Sequence, residues 1–358
     1  MKDSVDRFLV ARDVSLKAAM RQLEDTEERI LFVIDDNRQM FGAITDGDIR
    51  RWILADKSLD ASVQDVCNRH PFVLSAQFRL DDARQIMLER NFACIPVLDD
   101  ERCIVELLFW SQVFQDRPHT RPRVQPIAVP VVIMAGGKGT RLDPFTRVLP
   151  KPLIPIGDKA VIEIIIETFL GYGVKDFLIS INHKAKLIKS FFEELQPSYN
   201  LRYIEEDRPL GTIGGLREMI GQLEGSLIVT NCDIIVRADY SALVHTHESD
   251  GNDITIVASL KDYHIPYGVC ELEPGGRLKR ILEKPHYDLL VNTGMYVMRS
   301  EMLELIPENE MCHATDLIEK VIANGGKIGV YPISEKAWLD TGEWAEYRRT
   351  VQALSQGS

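Results

Sequence analysis

The chain has 358 residues, 45% hydrophobic and 27% charged, with a formal net charge of −12, a composition that fits a soluble globular protein of two or three domains. The acidic balance argues against nucleic acid or an anionic membrane surface as the main partner. No run approaches the ~20 apolar residues of a membrane helix, and the opening Met1-Lys2-Asp3-Ser4-Val5-Asp6-Arg7 lacks a signal-peptide apolar core. Six cysteines at 67, 94, 103, 232, 270 and 312, with no Cys-x-x-Cys pair, read as reduced residues of a cytoplasmic protein, neither a disulfide framework nor a zinc site.

Residues 1–116 contain an internal repeat, with copies at about 1–57 and 58–116. Val33-Ile34-Asp35-Asp36 recurs as Val97-Leu98-Asp99-Asp100, an offset of 64 residues. The same offset maps Phe8 onto Phe72, Leu16 onto Leu80, Ala19 onto Ala83 and Leu23 onto Met87 without a gap. Each copy predicts a short strand, a helix, a strand ending in the acidic turn, a second strand and another helix. Two such copies are expected to pack together, because neither buries its apolar face alone.

Within the first copy, residues 42–51 read Gly-Ala-Ile-Thr-Asp-Gly-Asp-Ile-Arg-Arg. On these residues the half resembles a tandem pair of CBS domains, an α+β fold in which a Gly-x-x-Thr-x-x-Asp pattern binds adenosine ligands. The resemblance implies a regulatory nucleotide such as AMP or ATP, with Asp48 on the ribose hydroxyls and Thr45 on the phosphate. The second copy has Glu106, Phe109 and Gln112 where Gly42, Thr45 and Asp48 stand, so at most one such site is expected. The alternative is that Asp46 and Asp48 cap a helix and the pair only scaffolds. CBS pairs generally associate, which implies an oligomer. Residues 117–126, with three prolines and no apolar periodicity, predict a stiff linker.

The remaining domain, 127–358, opens on an apolar β-branched run at 127–134 that predicts a buried strand. Gly136, Gly137 and Gly139 follow; glycines at that density permit positive φ and bring backbone N–H groups close to phosphate. The P-loop is excluded, because Gly137-Lys138 is followed by Gly139 and not by Ser or Thr. The dinucleotide fingerprint is excluded, because Leu142 stands where its third glycine belongs. What remains is Gly-Gly-x-Gly-Thr-Arg-Leu-x-Pro-x-Thr, then Pro-Lys-Pro-Leu-x-Pro. Over about two dozen residues this resembles the signature of the sugar-1-phosphate nucleotidylyltransferases. Downstream, helix and strand patterns alternate: a helix at 161–170, strands at 177–181, 201–204 and 227–230, helices at 188–195 and 241–249, and a loop and helix within 211–223. They predict an α/β domain with a parallel, doubly wound, Rossmann-like sheet and its site at the strands' carboxyl ends. Further strands from 254 to about 331 are expected as a mixed sheet over that site.

The resemblance implies attack of a sugar-1-phosphate oxygen on the α-phosphorus of a nucleoside triphosphate. Such catalysis consists of positioning and charge neutralisation by cations and Mg²⁺. The family pattern assigns cationic catalytic roles to Arg141, Lys151 and Lys284. It assigns nucleotide contacts to Ala135, Gly136, Gly137, Gly139 and Thr140, and sugar contacts to Gly268, Glu283, Asn292 and Thr293. The resemblance implies that Asp233, in Thr230-Asn231-Cys232-Asp233, and Asp340, in Trp338-Leu339-Asp340-Thr341-Gly342, are the metal carboxylates; two of them with phosphate oxygens and waters suit Mg²⁺. The family more often has Gly where Cys232 stands. His245 and His247, two apart on a predicted helix, point to different faces and read as ordinary residues.

The resemblance implies that the base-reading loop is 205–215, where Gly211 would let the backbone approach the base and Glu206, five residues earlier, would read its edge. An ionised carboxylate only accepts, so guanine, with N1–H and N2–H₂, fits best, although uracil N3–H is also a donor. The domain combination is similar to enzymes that make GDP-hexosamines for bacterial nonulosonic-acid pathways, which points to GTP and glucosamine 1-phosphate. Mannose or glucose 1-phosphate with GTP, UTP or CTP is the alternative. A nucleotide-sensing regulatory protein with an inactive transferase domain is the rival of a different class.

Overall fold

The 64-residue offset reappears as two three-stranded sheets in the computed structural model, which describes residues 5–26, 29–90, 92, 94–109, 113 and 126–355. The chain divides into two units, Met1–Val124 and Gln125–Ser358. In the first, β1 (Leu9–Ala11), α1 (Leu16–Thr26), β2 (Ile30–Ile34), β3 (Met40–Thr45) and α2 (Asp46–Leu54) form one copy. The other consists of β4 (Leu74–Ser75), α3 (Leu80–Arg90), β5 (Cys94–Leu98) and β6 (Ile104–Phe109). Each sheet joins a parallel pair to an antiparallel one. Even the β-bulge repeats: register shifts between Val33 and Ile34, and again between Val97 and Leu98. Phe8, Phe32 and Met40 share one buried cluster with Cys94, Leu98 and Leu107, so the copies do bury each other's apolar faces. The last predicted helix of the second copy, Gln112 and the linker up to residue 125 lie outside the described residues.

In the second unit, β7 (Val131–Met134) is shorter than its apolar run. Pro130 has no N–H to give a ladder, so pairing begins at Val131. Val131 and Ile133 enter one core cluster and Val132 the other; a strand covered on both faces needs an unbroken apolar run. Next come α4 (Phe145–Val148), the small hairpin of β8 (Pro155–Ile156) and β9 (Lys159–Ala160), α5 (Val161–Leu170), β10 (Asp176–Ile181), α6 (Ala185–Leu195) and β11 (Asn200–Glu205). Then follow β12 (Ser226–Asn231), β13 (Ile234–Val236), α7 (Tyr240–Ser249), β14 (Ile254–His264), β15 (Val269–Leu272) and β16 (Leu278–Leu282). The unit ends with β17 (His286–Arg299), α8 (Ala314–Ala323), β18 (Ile328–Ile333), β19 (Trp338–Asp340) and α9 (Trp344–Ser355).

The main sheet has seven strands in the order β11-β10-β7-β12-β17-β14-β18. Neighbours are parallel except around β17, which is antiparallel to β12 and β14. The later strands therefore extend the same sheet beside the parallel strands, and the sheet is mixed, as expected. The β13–β19 and β15–β16 pairs stay outside it. The predicted helix within 211–223 is only a 3₁₀ turn, Gly214–Met219. Its glycines are fixed by packing: a Cβ on Gly214 would meet Leu210 Cβ at 2.8 Å, and one on Gly215 would meet Glu206 Oε1 at 2.6 Å. No helix among the described residues is long and apolar enough to cross a membrane.

Candidate active site

β7 and β12 are parallel neighbours, so their carboxyl ends open side by side. From β7 the chain enters the glycine loop: Ala135 is buried and donates its N–H to Ser180 O at 2.8 Å. Of the three loop glycines only Gly139 has a positive φ, 65°. A Cβ there would also lie 2.9 Å from Thr146 Cγ2 and 3.1 Å from Lys151 Cβ. A Cβ on Gly137 would meet nothing within 4 Å. The left-handed Gly139 starts the 3₁₀ turn Thr140–Leu142, which buries Leu142 and leaves Arg141 outside. Arg141 Nη1 donates to Glu343 Oε1 at 2.9 Å. That bond raises the guanidinium pKa most, with Asp233 and Asp340 adding smaller contributions.

Lys151, braced between Pro150 and Pro152, ion-pairs with Asp233 Oδ2; each side chain is only 13% exposed. Asp233 follows β12, and its carbonyl accepts both the N–H and the hydroxyl of Thr341 at 2.8 Å. The β13–β19 ladder sets Asp340 opposite Ile234, which brings the two carboxylates together from distant parts of the chain. Gly342 marks the convergence. A Cβ there would lie 2.7 Å from Asp233 Oδ2, 3.0 Å from Asp340 Oδ1 and 3.5 Å from Lys151 Nζ. Burial raises the Asp340 pKa, the N–H of Gly342 at 2.6 Å lowers it, and the neighbouring Asp233 raises it further. Two oxygen-donor carboxylates, with no cluster of three or more metal-ligating side chains among the described residues, could hold a hard divalent cation only with ligand oxygens or water completing its shell. Cys232 is buried, with its pKa pushed up to about 12, so it stays an inert thiol at neutral pH.

Glu206 lies close to the loop: a Cβ on Gly136 would be 3.8 Å from its Oε1. Its carboxylate is buried and already accepts from Ser180 Oγ at 2.6 Å and from the Leu210 N–H at 3.2 Å. Only lone pairs beyond those two bonds could meet a base. Ser180→Ala deprives a buried carboxylate oxygen of its donor and is expected to cost about 1–3 kcal/mol, read as a lower thermal midpoint. An unchanged midpoint would mean that the hydroxyl is dispensable. Gly211, at φ 88°, is fixed by a second chain segment, since a Cβ would fall 2.5 Å from Cys312 O.

The residues expected on the sugar side fall into two groups. Gly268, Glu283 and Lys284 stand exposed around the β15–β16 hairpin, and a Cβ on Gly268 would lie 3.2 Å from Glu283 Oε2. Lys284 has no ion-pair partner among the described residues, unlike Arg141 and Lys151. Asn292 and Thr293 are tied into the fold. Asn292 Nδ2 donates to Tyr296 Oη at 2.8 Å and its Oδ1 accepts from Gly294 N at 3.0 Å. The Thr293 hydroxyl donates to Val257 O at 2.8 Å, at the β14 bulge. His247 is buried with Nδ1 against Thr255 Oγ1 at 2.9 Å, while His245 is exposed.

In the first unit Thr45 and Asp48 make a capping box at the start of α2. Thr45 N donates to Asp48 Oδ2 at 2.9 Å, Asp48 N donates to Thr45 Oγ1 at 3.3 Å, and Arg51 pairs with Asp48. A Cβ on Gly42 would meet Asn68 O at 2.6 Å, so close backbone packing alone requires that glycine. Asp48→Ala removes half of the box and is expected to cost about 1 kcal/mol, measured by thermal unfolding.

Sequence patterns gave no role to Ser180, Thr341, Glu343 or Trp344. Their site contacts span up to 202 residues of chain, and no local motif encodes such a pairing.

A glycine loop at the carboxyl end of a central strand, beside a Lys and two carboxylates, defines an α/β nucleotide-handling domain. The nucleotidyl transferase family model matches residues 130–357 and the CBS domain model residues 4–55 and 63–107; the chain belongs to the nucleotidyl transferase family and carries two CBS domains. It is 29% identical over 221 residues to a mannose-1-phosphate guanyltransferase of Aspergillus oryzae, covering 59% of this chain and 60% of that one. To a UTP–glucose-1-phosphate uridylyltransferase of Synechocystis it is 27% identical over 244 residues, 62% of each. The chain thus spans about 60% of the length of the curated relatives it matches. Its fold is similar to that of HddC from Yersinia pseudotuberculosis, with a TM-score of 0.51 and 23% identity over 63% of this chain and 99% of that one; HddC has also been solved complexed with GMP-PN.

Proposed function

We propose that the second unit transfers a nucleoside monophosphate from a nucleoside triphosphate to a sugar 1-phosphate. The sugar-phosphate oxygen attacks the α-phosphorus, the bond from that phosphorus to the bridging oxygen breaks, and pyrophosphate leaves. No protein nucleophile is required; the chain's part is to position and neutralise phosphate. The observation that carries this reading is the convergence of Lys151, Asp233 and Asp340 on Gly342, beside the glycine loop. Lys151 would pass from Asp233 to the phosphates, and Asp233 and Asp340 would hold Mg²⁺, which supplies charge neutralisation at the phosphates. Arg141 would meet the triphosphate, with Ala135, Gly136, Gly137, Gly139 and Thr140 along it. Glu206 and Gly211 would lie at the base. Gly268, Glu283, Lys284, Asn292 and Thr293 would form the sugar side.

GTP with glucosamine 1-phosphate is the pair we favour. The acceptor-only Glu206 supports guanine, as do relatives named guanyltransferases; mannose or glucose 1-phosphate is the alternative sugar, supported by the names of the same relatives. The test is pyrophosphate release by the full chain with Mg²⁺, using GTP, UTP and CTP against the three sugar phosphates. The highest kcat/KM is expected for GTP with glucosamine 1-phosphate. Absence of turnover with every pair would sink the transferase reading and leave a nucleotide-sensing protein. A regulatory adenine nucleotide at Thr45 and Asp48 is a separate part of the proposal. Calorimetry of the full chain with AMP and ATP should give binding that Asp48→Ala weakens; equal heats from both proteins would leave the CBS pair a scaffold.

A further inference from the structure

Arg141 is 67% exposed and its turn, three residues long, offers the side chain little support. Its one ion-pair partner among the described residues, Glu343, is 55% exposed. Pairs between two mobile surface side chains are worth little, but the backbones on both sides of this one are tied together. Glu343 is the residue before α9, and its carbonyl accepts the Tyr347 N–H at 2.8 Å. The next residue, Trp344, donates Nε1–H to Asp143 O at 2.9 Å, two residues beyond Arg141. The Trp344 ring meets Phe145 edge-on, with centroids 4.9 Å apart. Tyr347 Oη donates to Pro155 O at 2.6 Å, and the Asp340 carbonyl accepts from Thr350 Oγ1 at 2.9 Å. One helix thus grips the glycine-loop segment on one side and the Asp340 strand on the other.

We infer that Glu343 is a positioning residue which, fixed by Trp344 and Tyr347, holds the Arg141 guanidinium over the phosphate loop. The inference rests on the transferase reading and adds a residue that acts only through Arg141. The contact uses Nη1 alone, so the other donors of the fork stay free for phosphate. Without Glu343 the arginine is still present but samples many rotamers, and the nucleotide must then order it on binding.

The test is a double-mutant cycle on the full chain, read as kcat/KM for the nucleoside triphosphate. Glu343→Ala should lower it about fivefold, the scale of a surface ion pair, mainly by raising KM. Glu343→Gln keeps an acceptor and should recover most of the loss. In an Arg141→Ala background, Glu343→Ala should have no further effect. The same fivefold loss in both backgrounds, or a wild-type value for Glu343→Ala, would overturn the inference. Thermal midpoints near wild type for the Glu343 variants separate positioning from folding, and a lower midpoint with an unchanged kcat/KM would also overturn it. A wild-type chain that turned over no pair of substrates would overturn the transferase reading and this inference with it, whereas an active chain without coupling between the two residues overturns the inference alone.

Discussion

Asp233→Asn lowers turnover by about 10³-fold, the scale seen when one group that stabilises transition-state charge is removed, while the protein still folds. Asn keeps the shape and the neighbouring bonds, since Thr341 bonds the backbone carbonyl of Asp233 and not its carboxylate. What it removes is half of the proposed metal-binding pair and the resting partner of Lys151. A folding cost of about 1–3 kcal/mol is expected from leaving that ammonium without its carboxylate, softened because Asp340 lies close by. The measurement pairs pyrophosphate release, across a wide Mg²⁺ titration, with a thermal midpoint. More than a tenth of wild-type turnover at any Mg²⁺ concentration would contradict the metal role.

Gly211→Ala should destabilise the second unit by about 3 kcal/mol, because the position demands both a left-handed backbone and the absence of a side chain. At φ 88° an L-residue is strained, and its Cβ would stand 2.5 Å from the Cys312 carbonyl oxygen. Relief requires the 210–213 segment to part from 312–314, to which it is bound by Cys312 N to Leu210 O and Ile213 N to Cys312 O. Glu206 then loses the Leu210 N–H as well, so KM for the nucleotide rises together with the fall in thermal midpoint. Gly137→Ala is the control: no positive φ and no atom within 4 Å of the new Cβ. A Gly211→Ala protein as stable as Gly137→Ala would refute the packing argument.

How much of this was legible beforehand depends on where the information lies along the chain. The glycine loop, Lys151 and the two carboxylate motifs are each local strings, and the fold does bring Lys151, Asp233 and Asp340 together. The N-terminal repeat was legible because one gapless offset pairs its apolar positions, while the bulge that both copies share came only from the strand pairing. What escaped is non-local. Strands at 254–299 were visible, but not that β17 would run antiparallel beside β12 and carry β14 and β18 into the same sheet. Gly214 and Gly215 lie inside an apolar pattern that reads as helical, and only the nearness of Leu210 and Glu206 explains the tighter turn. Glu206 was read by its charge; that Ser180 and the Leu210 N–H already engage it depends on β10, next to β11 in the sheet.

The half-buried Lys151–Asp233 pair has a consequence for how ligands would bind. Each member is the other's counter-ion until something replaces it. Phosphate that draws Lys151 away frees Asp233 for a cation, and a cation on Asp233 frees Lys151 for phosphate. By thermodynamic reciprocity each ligand then raises the affinity of the other by the same factor. The chain alone would hold a divalent ion weakly and release it on dialysis, whereas ion and nucleotide together would be retained.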